Sequence, residues 1–236
     1  MAIEPRERLI LALDVPSADE AKRLLDRVRD AVACVKIGLE LFTAAGPDIV
    51  RWALAQRKRV FLDLKLLDIG ETVKRATAAA SELGVTFLTV HAAGQTVRAA
   101  VEGRGRSAMK VLAVTVLTSF DNADLLEMGI VESVHDTVIR RARLAISLGA
   151  DGVVASGVEA AMIRRELGKD PIVVIPGIRP VGASHDDQAH VTTPADAIAA
   201  GGDYLVVGRP IRDAVDPAAA ARAIQAEIEV ALTRRG

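Results

Sequence analysis

The sequence predicts an α/β protein, a (β/α)8 TIM barrel built as one domain over residues 1–236, and three observations predict it. Eight short apolar runs alternate with helix-patterned segments along the chain, the order that builds a parallel sheet covered by helices. Most of those runs are apolar at consecutive positions, so both strand faces are expected to be buried. The length of 236 residues is close to the roughly 250 typical of such barrels. A doubly wound sheet is the alternative, but no G-x-G-x-x-G follows the first run, where that fold would carry its dinucleotide loop.

The elements follow in order. The first strand is LILAL (9–13). Ser17 then precedes ADEAKRLLDRV with Glu20 three positions on, which reads as a capping box opening a helix. Strands are expected at ACVKI (33–37) and RVFLDL (59–64). GETVKRATAAASEL (70–83) is a helix stopped by Gly84, a residue suited to a left-handed cap. TFLTVH (86–91) and KVLAVTVL (110–117) are the next strands, and residues 125–148 hold one or two helices ending at Gly149. DGVVAS (151–156), IVVIPG (172–177) and YLVVGR (204–209) complete the strands, and a helix over 216–235 closes the chain.

Composition removes several classes of function. Thirty basic against 31 acidic residues leave a net charge of −1, which argues against a nucleic-acid partner while allowing a local basic pocket. Cys34 is the single cysteine, so no intramolecular disulfide forms, and its place in AVACVKIG makes it a packing residue rather than a nucleophile. No apolar run reaches the roughly 18 residues a membrane span needs, and MAIEPRERLILAL lacks the layout of a signal peptide. A cytoplasmic protein with no membrane partner is expected.

The polar residues fall at the strand ends. Asp14, Lys36, Asp63 with Lys65, His91, Thr118 with Ser119, Ser156, Gly177 with Arg179, and Gly208 with Arg209 each close an apolar run. In a barrel these ends meet at one mouth, where such folds keep their active sites. An enzyme is the expectation. In FLDLKLLDIG (61–70) the two-residue strand period points Phe61, Asp63 and Lys65 one way and Leu62 and Leu64 the other. Together with Asp14, Lys36 and Asp68, charges of alternating sign gather at one end. Burying them is costly unless they pair. A lysine between carboxylates keeps its proton, which makes Lys65 a proton donor rather than a Schiff-base nucleophile.

At the other end, IPGIRP (175–180) and GGDYLVVGRPI (201–211) place glycines beside Arg179 and Arg209, in the loops where barrels seat phosphate. The predicted ligand is a phosphorylated small molecule. His91 has no companion spaced for zinc and reads as structural or supporting. Thr118 and Ser119 either hydrogen-bond a polar ring or cap the segment DNADLLEM; the sequence leaves both open. Ser156 starts a helix, since no base is placed to activate it.

ALDVP (12–16), VKIGLELF (35–42), FLDLKLLDIGETV (61–73), VTVLTS (114–119), IPGIRP (175–180), HDDQAHVTTP (185–194) and GGDYLVVGRPI (201–211) together resemble bacterial orotidine 5′-phosphate decarboxylase over nearly the whole chain. The resemblance implies cofactor-free and metal-free conversion of orotidine 5′-monophosphate to UMP and CO2 in pyrimidine biosynthesis. It assigns Asp63, Lys65, Asp68 and Lys36 to a catalytic charge array, with Lys65 protonating C6 of the pyrimidine. Asp68 would act in the neighbouring subunit's site, making a homodimer the working unit. Asp14 and Lys36 would meet the ribose, Thr118 and Ser119 the pyrimidine edge, and Gln188, Gly208 and Arg209 the 5′-phosphate, with Arg179 nearby. Thr72 falls among the substrate-binding positions. The chain departs from the family's pattern at Gly70-Glu71, where Pro-Asn is frequent, and at Gln95, where a second glycine is usual. Two rivals stand beside this reading: a Mg2+-dependent phosphosugar enzyme sharing the third-strand motif, and a barrel that binds UMP without turnover.

Overall fold

The computed structural model describes residues 3–180 and 192–235. Eight parallel strands, β1 (Leu9–Ala12), β2 (Cys34–Gly38), β3 (Arg59–Leu66), β4 (Phe87–His91), β5 (Lys110–Val114), β6 (Gly152–Val154), β7 (Ile172–Ile175) and β8 (Tyr204–Val207), pair in sequence order. β8 returns to β1 through Leu9↔Leu205 and closes the barrel. The helices are α1 (Ala18–Val28), α2 (Leu39–Ala55), α3 (Gly70–Leu83), α4 (Gly94–Arg104), α5 (Asn122–Glu127), α6 (Val134–Ser147), α7 (Gly157–Leu167), α8 (Pro194–Ala199), α9 (Arg209–Arg212) and α10 (Pro217–Arg235). The expected α/β barrel is the observed fold.

Strand alternation divides the apolar residues into two layers. Leu9, Leu11, Val35, Ile37, Leu62 and Leu88 join the layer between strands and helices. Ile10, Ala12, Cys34, Phe61, Phe87, Leu112, Val174, Tyr204 and Val206 fill the barrel itself. In a chain with 3% aromatics, three rings lie in that interior, with Phe87 edge-on to Phe61 at 5.9 Å and to Tyr204 at 5.0 Å. They fill the lower interior of the barrel, as side chains do in this fold. Cys34 is fully buried there, and burial pushes its thiol up to about 12; it is a packing residue.

Local signals account for the helix boundaries. α3 runs over the expected residues and stops at Gly84, whose φ of 83° lies in the left-handed region. Ser17 caps α1 by accepting from the Glu20 N–H at 3.3 Å. The expected box is only half formed, because the Glu20 carboxylate takes the Ser17 hydroxyl rather than its N–H. Ser156 does form a full box with Glu159 and opens α7, the helix-starting role expected of it. Residues 125–148 resolve into two helices, α5 and α6, and Asp121, not Thr118 or Ser119, caps the first.

The strands β5 to β8 stop two or three residues before the apolar runs do. There the backbone leaves the ladder for the loops, and after β5, β7 and β8 the run's last residues line the mouth instead. β3 does the opposite and extends to Leu66. Its register against β4 slips: Leu62 pairs with Leu88, but Leu66 pairs with Val90. Four steps along β3 match two along β4, and Lys65 within the slip has a φ of 50°, a conformation costly for a residue with a Cβ. Bulges of this kind re-aim side chains beside active sites. No helix among the described residues is long and apolar enough to cross a membrane.

Candidate active site

Above the aromatic plug, the inward-facing positions on β1 to β3 turn polar, while Val114, Val116 and Val154 keep the far wall apolar. On β1 the sequence Ile10, Ala12 continues to Asp14; on β2 Cys34 is followed by Lys36; on β3 Phe61 is followed by Asp63 and Lys65. A cavity of about 610 Å³ opens here, within the usual range for small-molecule sites. Asp14, Lys36, Asp63, Lys65, Thr118, Arg179, Gly208 and Arg209 all line it.

The charges form one connected chain. Lys36 Nζ donates to Asp14 Oδ1 at 2.7 Å and stands 3.7 Å from Asp63 Oδ2. Lys65 Nζ donates to the same Asp63 oxygen at 2.8 Å. The other oxygen, Oδ1, accepts from the hydroxyl of Thr89 at 2.8 Å. Asp63 is only 8% exposed. Burial alone would push its carboxyl up, but the charges of Lys36 and Lys65 and the bonds from Lys65 and Thr89 hold it below the ordinary carboxylate value. Gly38 leaves room for this array: a Cβ there would lie 3.1 Å from Lys36 Nζ and 3.3 Å from Asp14 Oδ1.

Across the cavity, Gly177 adopts a φ of 74° at the end of the β7 run, where a side chain would be strained. Arg179 is buried, and its guanidinium donates to the Ile178 carbonyl at 3.0 Å. A Cβ at Gly208 would make only ordinary contact with protein, 3.6 Å from Ala12 Cβ, so the space beside it belongs to the cavity. The two ends of the site therefore differ in chemistry: paired charges of both signs on β1 to β3, and arginines with bare backbone after β7 and β8.

Three expected site residues lie outside this cavity. Asp68 is exposed, its carboxylate accepting from the Ile69 N–H at 2.6 Å. Thr72, in the first turn of α3, and Ser119, past the end of β5, are also exposed. Lys65 thus meets one carboxylate within the chain, not two. Gln188 lies outside the described residues.

Sequence reasoning passed over two residues. Thr89, buried in β4, accepts from the Lys65 N–H at 3.0 Å while donating to Asp63. Arg212 lines the cavity, donates to the Asp14 carbonyl at 2.8 Å and forks onto Asp213 at 2.6 and 2.9 Å. Its signal was visible in GRPIRD, but only the short helix α9 turns it back toward β1. His91 is half-buried at the end of β4; burial first, then the positive charges of Arg141 and Lys65, hold its imidazole below the ordinary value. Among the described residues no group of three or more His, Cys, Asp or Glu side chains is placed to hold a metal ion.

Residues 7–224 match the family described as "Orotidine 5'-phosphate decarboxylase / HUMPS family". The chain belongs to that family. It is 54% identical over 223 residues to the orotidine 5′-phosphate decarboxylase of Rhodopseudomonas palustris (strain HaA2), covering 94% of this chain and 95% of the relative. It is 52% identical over 229 residues to that of Methylobacterium sp. (strain 4-46), covering 96% and 97%. The crystal structure of the Lactobacillus acidophilus orotidine 5′-phosphate decarboxylase superposes with a TM-score of 0.84 at 36% identity, covering 94% of this chain and 99% of that one. The two departures from the family pattern noted in the sequence adjoin each other: a Cβ on Gly70 would lie 3.4 Å from Gln95 Nε2. Glu71 pairs with Arg75 at 2.8 Å, one helical turn away, so its charge is directed along α3.

Proposed function

We propose that the chain decarboxylates orotidine 5′-monophosphate to UMP and CO2, and that the cavity above the barrel plug is where it does so. The observation that carries this reading is the array Asp14–Lys36–Asp63–Lys65, joined at 2.7, 3.7 and 2.8 Å and facing a cavity with arginines at its opposite end. The names of the relatives support the substrate.

The nucleotide's phosphate takes the end formed by Gly208, Arg209 and Arg179, since guanidinium groups bind phosphate bidentately; the family resemblance assigns Gln188 to the same phosphate. Asp14 and Lys36 meet the ribose hydroxyls. Thr118, and Ser119 once the loop carrying it closes, meet the pyrimidine edge. This places C6 of the ring over Lys65.

The C6–carboxylate bond breaks and its electron pair stays on C6, in the ring plane where the π system cannot accept it. The ammonium of Lys65 stabilises that charge and then gives C6 a proton, and the amine regains a proton from solvent. Preorganised charge of this kind acts strongly in a site closed from water. Asp63, held ionised beside Lys65, faces the departing carboxylate. Binding energy from the remote phosphate organises the loops around the reacting carbon.

A second subunit completes the site. Asp68 and Thr72 are exposed and do not line their own cavity, and Asp68 is flanked by Leu67 and Ile69, which are 62% and 71% exposed. Apolar side chains on both sides of an outward carboxylate suit an interface between two copies, with Asp68 reaching the partner's cavity.

The test is to mix EDTA-treated protein with orotidine 5′-monophosphate and follow the loss of its ultraviolet absorbance, identifying UMP and CO2. Rapid metal-free conversion is the expected result. UMP binding without turnover would overturn the assignment of an active decarboxylase, and activity that returns only with Mg2+ would transfer the chain to the metal-dependent rivals.

A further inference from the structure

We infer that Thr89 is a positioning residue for the decarboxylation, its hydroxyl fixing both the backbone of Lys65 and the carboxylate of Asp63. The inference rests on the reading that Asp63 and Lys65 face the reacting carbon.

Thr89 is fully buried in the middle of β4. A buried threonine with a purely structural role would satisfy itself on a nearby carbonyl, as Thr115, just past β5, does on Val154 at 3.3 Å. Thr89 instead accepts from the Lys65 N–H at 3.0 Å and donates to Asp63 Oδ1 at 2.8 Å. The direction of each bond is fixed. A backbone N–H can only donate and a carboxylate can only accept, so the single hydroxyl proton must go to Asp63.

That position is where the β3 ladder fails. Between Leu62↔Leu88 and Leu66↔Val90 the register slips by two residues, and Lys65 sits in the slip with a φ of 50°. The Lys65 N–H cannot find a β4 carbonyl in an ordinary ladder, and the threonine hydroxyl replaces it. The same hydroxyl occupies the one Asp63 oxygen that neither Lys36 nor Lys65 contacts. Lys65 Nζ and Asp63 Oδ2 are therefore held at both ends: by their own bond at 2.8 Å, and through Thr89 behind them. Without that hydroxyl, the main chain would be free to relax from its strained conformation and carry the proton donor off target. Displacements of about 1 Å can cost roughly 100-fold in rate.

Thr89→Val keeps the branched shape and deletes only the hydroxyl. In the orotidine 5′-monophosphate assay it is expected to lower kcat about 10- to 100-fold, with KM and UMP affinity within about twofold of wild type. Thr89→Ser, which restores the hydroxyl without the methyl group, is expected to recover most of kcat. A folded Thr89→Val with wild-type kcat would overturn the inference. So would equal losses in the Val and Ser variants, since the missing feature would then be packing. Should Thr89→Val fail to fold, Thr89→Cys keeps the volume with a poor donor and is judged by the same two criteria. Lys65→Ala is run alongside: normal turnover there would sink the underlying assignment, whereas its loss beside an unaffected Thr89→Val would sink only this inference.

Discussion

The lower and upper halves of the barrel interior are built by the same strands pointing the same way, yet they hold opposite chemistry. Below, Ile10, Cys34, Phe61, Phe87 and Tyr204 are almost entirely buried and apolar. Two residues further along three of those strands stand Lys36, Asp63 and Thr89, and four beyond Phe61 stands Lys65. The lower half is buried, so a polar group there gives up water and must find its partner within the protein. The upper half borders a cavity and can keep charges because they pair with one another. One layer supplies stability; the other accepts electrostatic cost in return, on the reading proposed above, for a field aimed at the substrate.

The comparison can be broken by altering each half and measuring both properties. The largest expected effect is on chemistry alone: Lys65→Ala should lower kcat about 10^5-fold or more, the combined loss of a proton donor and a charge stabiliser, with UMP binding still measurable. Next, Phe87→Ala should act on stability alone. Removing a ring that meets Phe61 and Tyr204 should cost about 3–5 kcal/mol in chemical unfolding, while turnover per folded molecule stays close to wild type. A large loss of kcat at retained stability would show that the plug shapes the site directly.

A smaller effect separates the two ends of the cavity. Arg209→Ala should raise KM for the nucleotide about 10- to 100-fold, the size of a lost charge-assisted contact, and should do so far less for a substrate lacking the phosphate. The smallest concerns His91, at the end of β4 two residues beyond Thr89. Its imidazole is held below the ordinary 6.5 by burial and by Arg141 and Lys65. As pH falls below 6.5 the unfolded chain takes up a proton that the folded chain refuses, so stability declines until the lowered folded-state value is passed. His91→Gln should flatten that part of the stability-against-pH curve; an unchanged slope would mean that the histidine titrates alike in both states.

The most legible residues were those whose role follows from strand periodicity. Asp63 and Lys65 were placed on one face by counting in twos, and the structure brings their side chains together at 2.8 Å. Asp14, Lys36, Arg179, Gly208 and Arg209 were found because each closes an apolar run, and a barrel gathers such ends. Thr89 was invisible for the converse reason: in TFLTVH a threonine is an ordinary β-branched strand residue, and nothing local announces that β3 will slip beside it. Thr118 and Ser119 show how fine the limit is. They are neighbours in sequence, but after β5 leaves the ladder one side chain lines the cavity and the other is exposed.

By itself, then, the sequence determined the alternation of elements, the closed parallel barrel, the apolar interior and the chemical type of each strand end. These depend on periods of two and 3.6 and on which groups water will release. Only the tertiary structure decided the register slip in β3, the strained Lys65, the two hydrogen bonds of Thr89 and the division of Asp63's two oxygens between two donors, Lys65 and Thr89, with Lys36 as a further ion-pair partner. Those features come from two strands competing for one ladder, and a contest between distant segments leaves no mark in the local pattern of either.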